Sequence, residues 1–73
     1  MADVVDARGL SCPQPVLMTM SKMKEIDRGE IEVLVDNEVS RENVTRAASH
    51  QGWEVTEAQE EGAGDYRLVL KKG

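Results

Sequence analysis

The sequence predicts an α/β protein, a two-layer sandwich of order βαβαββ with a mixed four-stranded sheet and both helices on one face. Two observations carry this. Segments with apolar residues at every second position alternate with segments in which they recur at helical spacing. The strand patterns are also one-sided. Ile31/Val33/Val35, Trp53/Val55 and Tyr66/Leu68/Leu70 form one face, and Glu30/Glu32, Glu54/Thr56 and Arg67/Lys71 the other. A parallel sheet covered on both faces needs nearly continuous apolar strands, so only one face here is covered.

Val4-Val5-Asp6-Ala7 reads as a first strand. From Pro13 to about Asp27, Val16, Leu17, Met20 and Met23 recur at helical spacing, and the helix closes near Arg28-Gly29. Strict alternation at Ile31, Val33 and Val35 marks a second strand, which should lie parallel to the first. Ser40 is the expected N-cap of a second helix with Val44, Ala47 and Ala48 as its apolar stripe, ending at Gln51-Gly52. Trp53 and Val55 belong to a third strand, Glu60 to Asp65 form a turn, and Tyr66, Leu68 and Leu70 alternate along a fourth. The last two strands read as an antiparallel hairpin.

Composition bounds the function. Seventy-three residues are expected to form one domain, 1–73, with a simple two-layer core. With one Cys there is no disulfide within the chain, and with one His no ordinary Cys/His zinc site. The start, MADVVDARG, is not a signal peptide, and no apolar run approaches the ~18 residues of a membrane span. The expectation is a cytoplasmic protein of a reducing compartment. A net charge of −5 disfavours phosphate backbones and anionic membranes. With Trp53 and Tyr66 as the only aromatics, no stacking platform for nucleic acid is expected.

The chemistry concentrates in Gly9-Leu10-Ser11-Cys12-Pro13-Gln14-Pro15-Val16, which holds the single cysteine and both prolines. If Pro13 is the first helical residue, Cys12 is the N-cap. Pro13 and Pro15 then fall where backbone donors have no intrahelical partner, so neither disrupts the helix. A thiol over a helix N-terminus ionises below its usual ~8.5, and the thiolate is the nucleophile. Arg8 adds positive charge there if the loop turns back. The competing reading is structural, since free Cys is often a small buried hydrophobe and Pro is common at helix starts. Against it, Cys occupies a cap position that ordinarily favours Ser, Thr, Asp or Asn.

Asp6-Ala7-Arg8-Gly9-Leu10-Ser11-Cys12-Pro13-Gln14-Pro15 resembles the signature of the TusA/SirA/YedF family of small sulfur-carrier proteins, and the similarity extends over nearly the whole chain. Val35-Asp36-Asn37-Glu38-Val39-Ser40-Arg41-Glu42-Asn43-Val44, followed by Gln51-Gly52-Trp53, is most similar to the YedF branch; Tyr66 to Lys72 is similar to the family's last strand. The resemblance implies a βαβαββ fold. It also implies that Cys12 accepts sulfane sulfur as a persulfide and hands it on, supported by Arg8, Gly9, Pro13, Gln14 and Pro15. Such a carrier needs no cofactor and no metal. The resemblance implies protein partners, a donor of the cysteine desulfurase kind and an acceptor, with DsrE-like proteins among the candidates. YedF-like proteins are associated with selenium metabolism, so selenium delivery is the alternative cargo, and many carry a further DsrE-like domain. A third reading is a non-catalytic module that forms a mixed disulfide through Cys12.

Other residues are weaker candidates. Met18, on the opposite side of the helix from Val16, Met20 and Met23, is a candidate partner contact near Cys12. Asp36, Asn37 and Glu38 end the second strand and either line the same sheet edge as Cys12 or serve turn and cap chemistry. His50 lies at a helix end that favours a cation, and no second catalytic group pairs with it.

Overall fold

The structure is a computed structural model that describes residues 3–10, 14–62 and 64–73. Its elements are β1 (Asp3–Asp6), α1 (Gln14–Ile26), β2 (Gly29–Val35), α2 (Glu38–His50), β3 (Glu54–Glu61) and β4 (Asp65–Lys72). They build one four-stranded sheet of order β1-β2-β4-β3. β1 and β2 are parallel, and β4 runs antiparallel to both β2 and β3. The expected βαβαββ sandwich, its parallel first pair and its closing hairpin are all present.

Alternation along the strands decides which face is covered. Val5, Ile31, Val33, Val35, Leu68 and Leu70 join Met23 of α1, Val44 and Ala48 of α2, and Trp53 in one buried cluster. Each large aliphatic side chain buried this way contributes roughly 1.5–3 kcal/mol. The other face is open. There Val69 pairs with Glu32 and Glu57 on the neighbouring strands, and it is only 7% exposed. Arg67, two residues earlier on the same face, donates to Glu32 and reaches to 3.8 Å of Glu57. Long side chains carry aliphatic stems, and these shield Val69 where no helix does.

The line of α1 that meets the sheet is Pro15, Thr19 and Met23, flanked by the partly buried Val16, Met20 and Ile26. Leu17, expected in the apolar stripe, is 53% exposed. The helix is rotated because Thr19 can be buried: its hydroxyl donates to the Pro15 carbonyl at 2.8 Å and leaves no unpaired polar group. α1 stops when Asp27 turns left-handed, with φ 65°.

Asn37, not Ser40, caps α2. The Asn37 side-chain oxygen accepts from the Ser40 amide at 2.7 Å. Ser40 sits one turn in, buried against the sheet beside Val44 and Ala48, and Ala47 is only half-buried. The turn between β3 and β4 is also shorter than expected: Glu60 and Glu61 still pair, with Tyr66 and Asp65. Gly62 and Gly64, with φ of 65° and 94°, supply left-handed conformations that make the reversal compact. Within β3 the register slips between Val55 and Glu57, where the Thr56 hydroxyl donates to the Val69 carbonyl.

Candidate functional site

A helix that follows a strand starts where that strand ends. Because β1 and β2 are parallel neighbours, α1 and α2 both begin at the same end of the sheet. The positive ends of two helix dipoles therefore lie at this end. Leu10, after β1, and Gln14, the first residue of α1, are described at this end, and Ser11, Cys12 and Pro13 lie outside the described residues. What the structure fixes is how the chain arrives at Cys12 and how it leaves.

On the arriving side, the Ala7 amide donates to the Leu34 carbonyl at 2.8 Å, which extends the parallel ladder past the end of β1. Arg8 folds back on Asp6. Its guanidinium reaches both carboxylate oxygens at 2.9 Å and its amide donates to one of them at 3.2 Å. The guanidinium bonds first, then the amide bond, pull the Asp6 carboxyl from 3.8 down to about 2. Asp6 in turn raises the Arg8 pKa, first by hydrogen bonding and then through its charge, with Asp65 and Asp36 adding smaller contributions. The Arg8 charge is thus committed to Asp6, which limits what it adds at Cys12. Gly9 follows with φ 80°, and its amide donates to Asp36 Oδ2 at 2.6 Å.

On the leaving side, Gln14 is exposed at the start of α1 while Pro15 is buried and anchors the first turn on the sheet. Met18 is 36% exposed, on the side the spacing predicts. With Val4, Ser21 and Lys22 it lines a shallow groove of about 290 Å³ between α1 and the β1 edge. Leu10, Leu17 and Val4 are exposed apolar residues of this same loop, helix and strand.

Of the alternatives for Asp36 to Glu38, turn and cap chemistry is present, and Asp36 also reaches the loop after β1. Asn37 is the cap of α2, and its side-chain nitrogen donates to Asp36 Oδ1 at 3.1 Å. The other Asp36 oxygen takes the Gly9 amide from the loop before Cys12. Sequence reading placed Asp36 at this end and missed the bond, because its partners are 27 positions apart and no local pattern reports such a tie. His50 is exposed at the opposite end of α2. Among the described residues no group of three or more His, Cys, Asp or Glu could hold a metal ion, and no helix is long and apolar enough to cross a membrane.

Comparison with known proteins gives one consistent result. The sequence model of the family described as sulfurtransferase TusA matches residues 3–72. The sulfur carrier protein TusA of Pseudomonas aeruginosa is 33% identical over 70 residues, covering 94% of this chain and 87% of that protein. A Methanocaldococcus jannaschii protein provisionally designated a sulfur carrier is 39% identical over 69 residues, covering 93% of this chain and 91% of its own. The crystal structure of a SirA-like protein from Desulfitobacterium hafniense superposes with a TM-score of 0.88 at 32% identity, covering 96% of each chain. The parallel βα units, the Cys-Pro-Gln-Pro stretch of the sequence and a match over almost the full length lead to one conclusion: the chain belongs to the TusA family.

Proposed function

We propose that this protein is a sulfur carrier that holds sulfane sulfur as a persulfide on Cys12 and passes it to a partner protein. The observation that carries the reading is Cys12-Pro13-Gln14-Pro15 leading into α1 in a chain that matches the TusA family over residues 3–72. The reaction balances without a cofactor. The Cys12 thiolate attacks the outer sulfur of a donor persulfide; a new sulfur–sulfur bond forms on Cys12 and the donor leaves as a thiolate. An acceptor thiolate then attacks that outer sulfur and releases the Cys12 thiolate. With a single cysteine in the chain, release is intermolecular. The helix N-terminus favours the anionic sulfur by about 0.3–1 kcal/mol in both the thiolate and persulfide states.

Arg8, Gly9, Pro13, Gln14 and Pro15 shape the approach to that sulfur, and Met18 with the groove beside it is where a donor or acceptor docks. A donor of the cysteine desulfurase kind fits the chemistry. The YedF placement, with its selenium cargo and DsrE-like acceptors, is supported by sequence resemblance alone; the relatives described above carry TusA, SirA-like and sulfur-carrier names.

Incubation with a cysteine desulfurase and cysteine, followed by mass spectrometry, tests the proposal. One added sulfur atom is expected on the wild-type protein and none on Cys12→Ser. Absence of the added sulfur from the wild type, with a known carrier loaded in parallel, overturns it. Running selenide against sulfide donors and measuring both elements on the protein identifies the cargo.

A further inference from the structure

We propose that Asp36 is a positioning residue for Cys12, holding the loop that delivers the thiol to the start of α1. This rests on Cys12 being the reactive group. Asp36 lies just past β2, Gly9 just past β1, and the bond of 2.6 Å between them joins two separate strand–loop–helix units. Cys12 is three residues beyond Gly9.

The other bonds of this loop cannot replace the tie. Arg8 is held by Asp6, two residues away on the same segment, and Ala7 continues the β1 ladder. Gly9 itself takes a left-handed conformation that other residues rarely adopt, and a Cβ there would meet nothing within 4 Å. The bond from its amide is what ties this bend to the loop after β2. Asp36 is in turn fixed by Asn37, whose other side-chain atom caps α2. The start of α2 is thus coupled through Asn37 and Asp36 to the loop that leads into α1.

Charge works against this residue. A carboxylate near a thiol disfavours the thiolate, and Asp6 and Asp65 already lie close to Arg8, while Glu38 in the first turn of α2 faces Arg41. A net benefit from Asp36 must therefore come through geometry, so geometry and charge predict opposite signs.

The test is the pH dependence of Cys12 alkylation by iodoacetamide, with persulfide transfer rates, for Asp36→Ala and Asp36→Asn. Asp36→Ala removes both acceptor and charge. It should move the alkylation midpoint up by about half a unit as the thiol leaves the helix N-terminus, and slow transfer about tenfold. Asp36→Asn keeps one oxygen for the Gly9 amide, loses the charge, and gives up the bond from the Asn37 side chain, whose oxygen still caps α2. Its midpoint should lie at or below that of the wild type, with near-normal transfer. Asp36→Ser, too short to reach Gly9, replaces Asp36→Ala if that variant does not fold. A downward shift in both variants, no shift in either, or Asp36→Asn failing like Asp36→Ala overturns the proposal. Sulfur loading of the wild type is measured alongside. If that alone fails, the carrier reading falls and the alkylation profiles still decide the role of Asp36.

Discussion

At the end of the sheet where Gly9 meets Asp36, side chains from different parts of the sequence cross-brace the loops; at the far end the chain is turned almost entirely by its own backbone. There the Asp27 amide closes on the Met23 carbonyl, and the Gln51 and Trp53 amides close on the last turn of α2. Left-handed conformations at Asp27 and Gly52 make the reversals, and the Lys72 ammonium on the Gln51 carbonyl is the side-chain contribution. A depression of about 550 Å³, larger than the groove beside Met18, is at this far end, walled by Arg28, Lys71 and Lys72. It lies at the helix C-termini, where cations are favourable in any such fold. Size alone therefore does not distinguish the two ends. Side-chain ties between separate strand–helix units do, because they fix positions that ordinary turns leave loose.

Three substitutions break or sharpen that contrast. The largest effect is expected for Gly29→Ala at the far end. Gly29 has φ 125°, and its added Cβ would meet the Ile26 side chain at an ordinary 3.8 Å, so the penalty is backbone strain. Denaturant unfolding should show a loss of about 1–3 kcal/mol, with the pH profile of Cys12 alkylation unmoved. A moved profile would mean the two ends are not independent.

Next is Asn37→Ala at the braced end, which removes the cap of α2 and one bond to Asp36. Unfolding measurements should show a loss of about 1 kcal/mol. Unlike Gly29→Ala, this variant should also raise the Cys12 alkylation midpoint. An unchanged midpoint would separate the cap from the loop.

The smallest effect is that of Asp6→Asn. The folded carboxyl titrates at about 2, below its ordinary 3.8. A depressed carboxyl contributes stability that is present above the ordinary value and lost as pH falls toward the folded one. Thermal melting of the wild type should therefore weaken between pH 3.8 and about 2, and Asp6→Asn should flatten that slope. The Asp6–Arg8 pair is about half exposed, so the change in melting temperature should be small. An identical slope in the variant would show that the pair contributes nothing to folding.

The fold was legible because two periodicities fix it. Ile31, Val33 and Val35 alternate, Val44 and Ala48 repeat at helical spacing, and each set ended on the face its pattern assigned. The errors came where local chemistry outweighed pattern. Thr19 looks polar and Leu17 apolar, yet a bond to the Pro15 carbonyl lets Thr19 be buried and leaves Leu17 outside. Ser40 has cap chemistry, but Asn37, three residues earlier, has it too and sits closer to the end of β2. Of the candidate site, the motif around Cys12 is plain in the sequence, and the exposure of Met18 followed from its helical spacing. The Gly9–Asp36 bond could not be read there, because it exists only once two strands separated by a helix lie side by side.

β3 is an outer strand, paired only with β4, that carries four glutamates, Glu54, Glu57, Glu60 and Glu61, and a slipped register at Thr56. Two copies laid edge to edge in antiparallel fashion would set Glu54 of each against Glu61 of the other, and like charges directly opposed are destabilising. The irregularity at Thr56 would also spoil the match of amides to carbonyls. The border of the sheet thus carries charge and an irregularity that oppose the pairing of β3 with the same strand of a second copy.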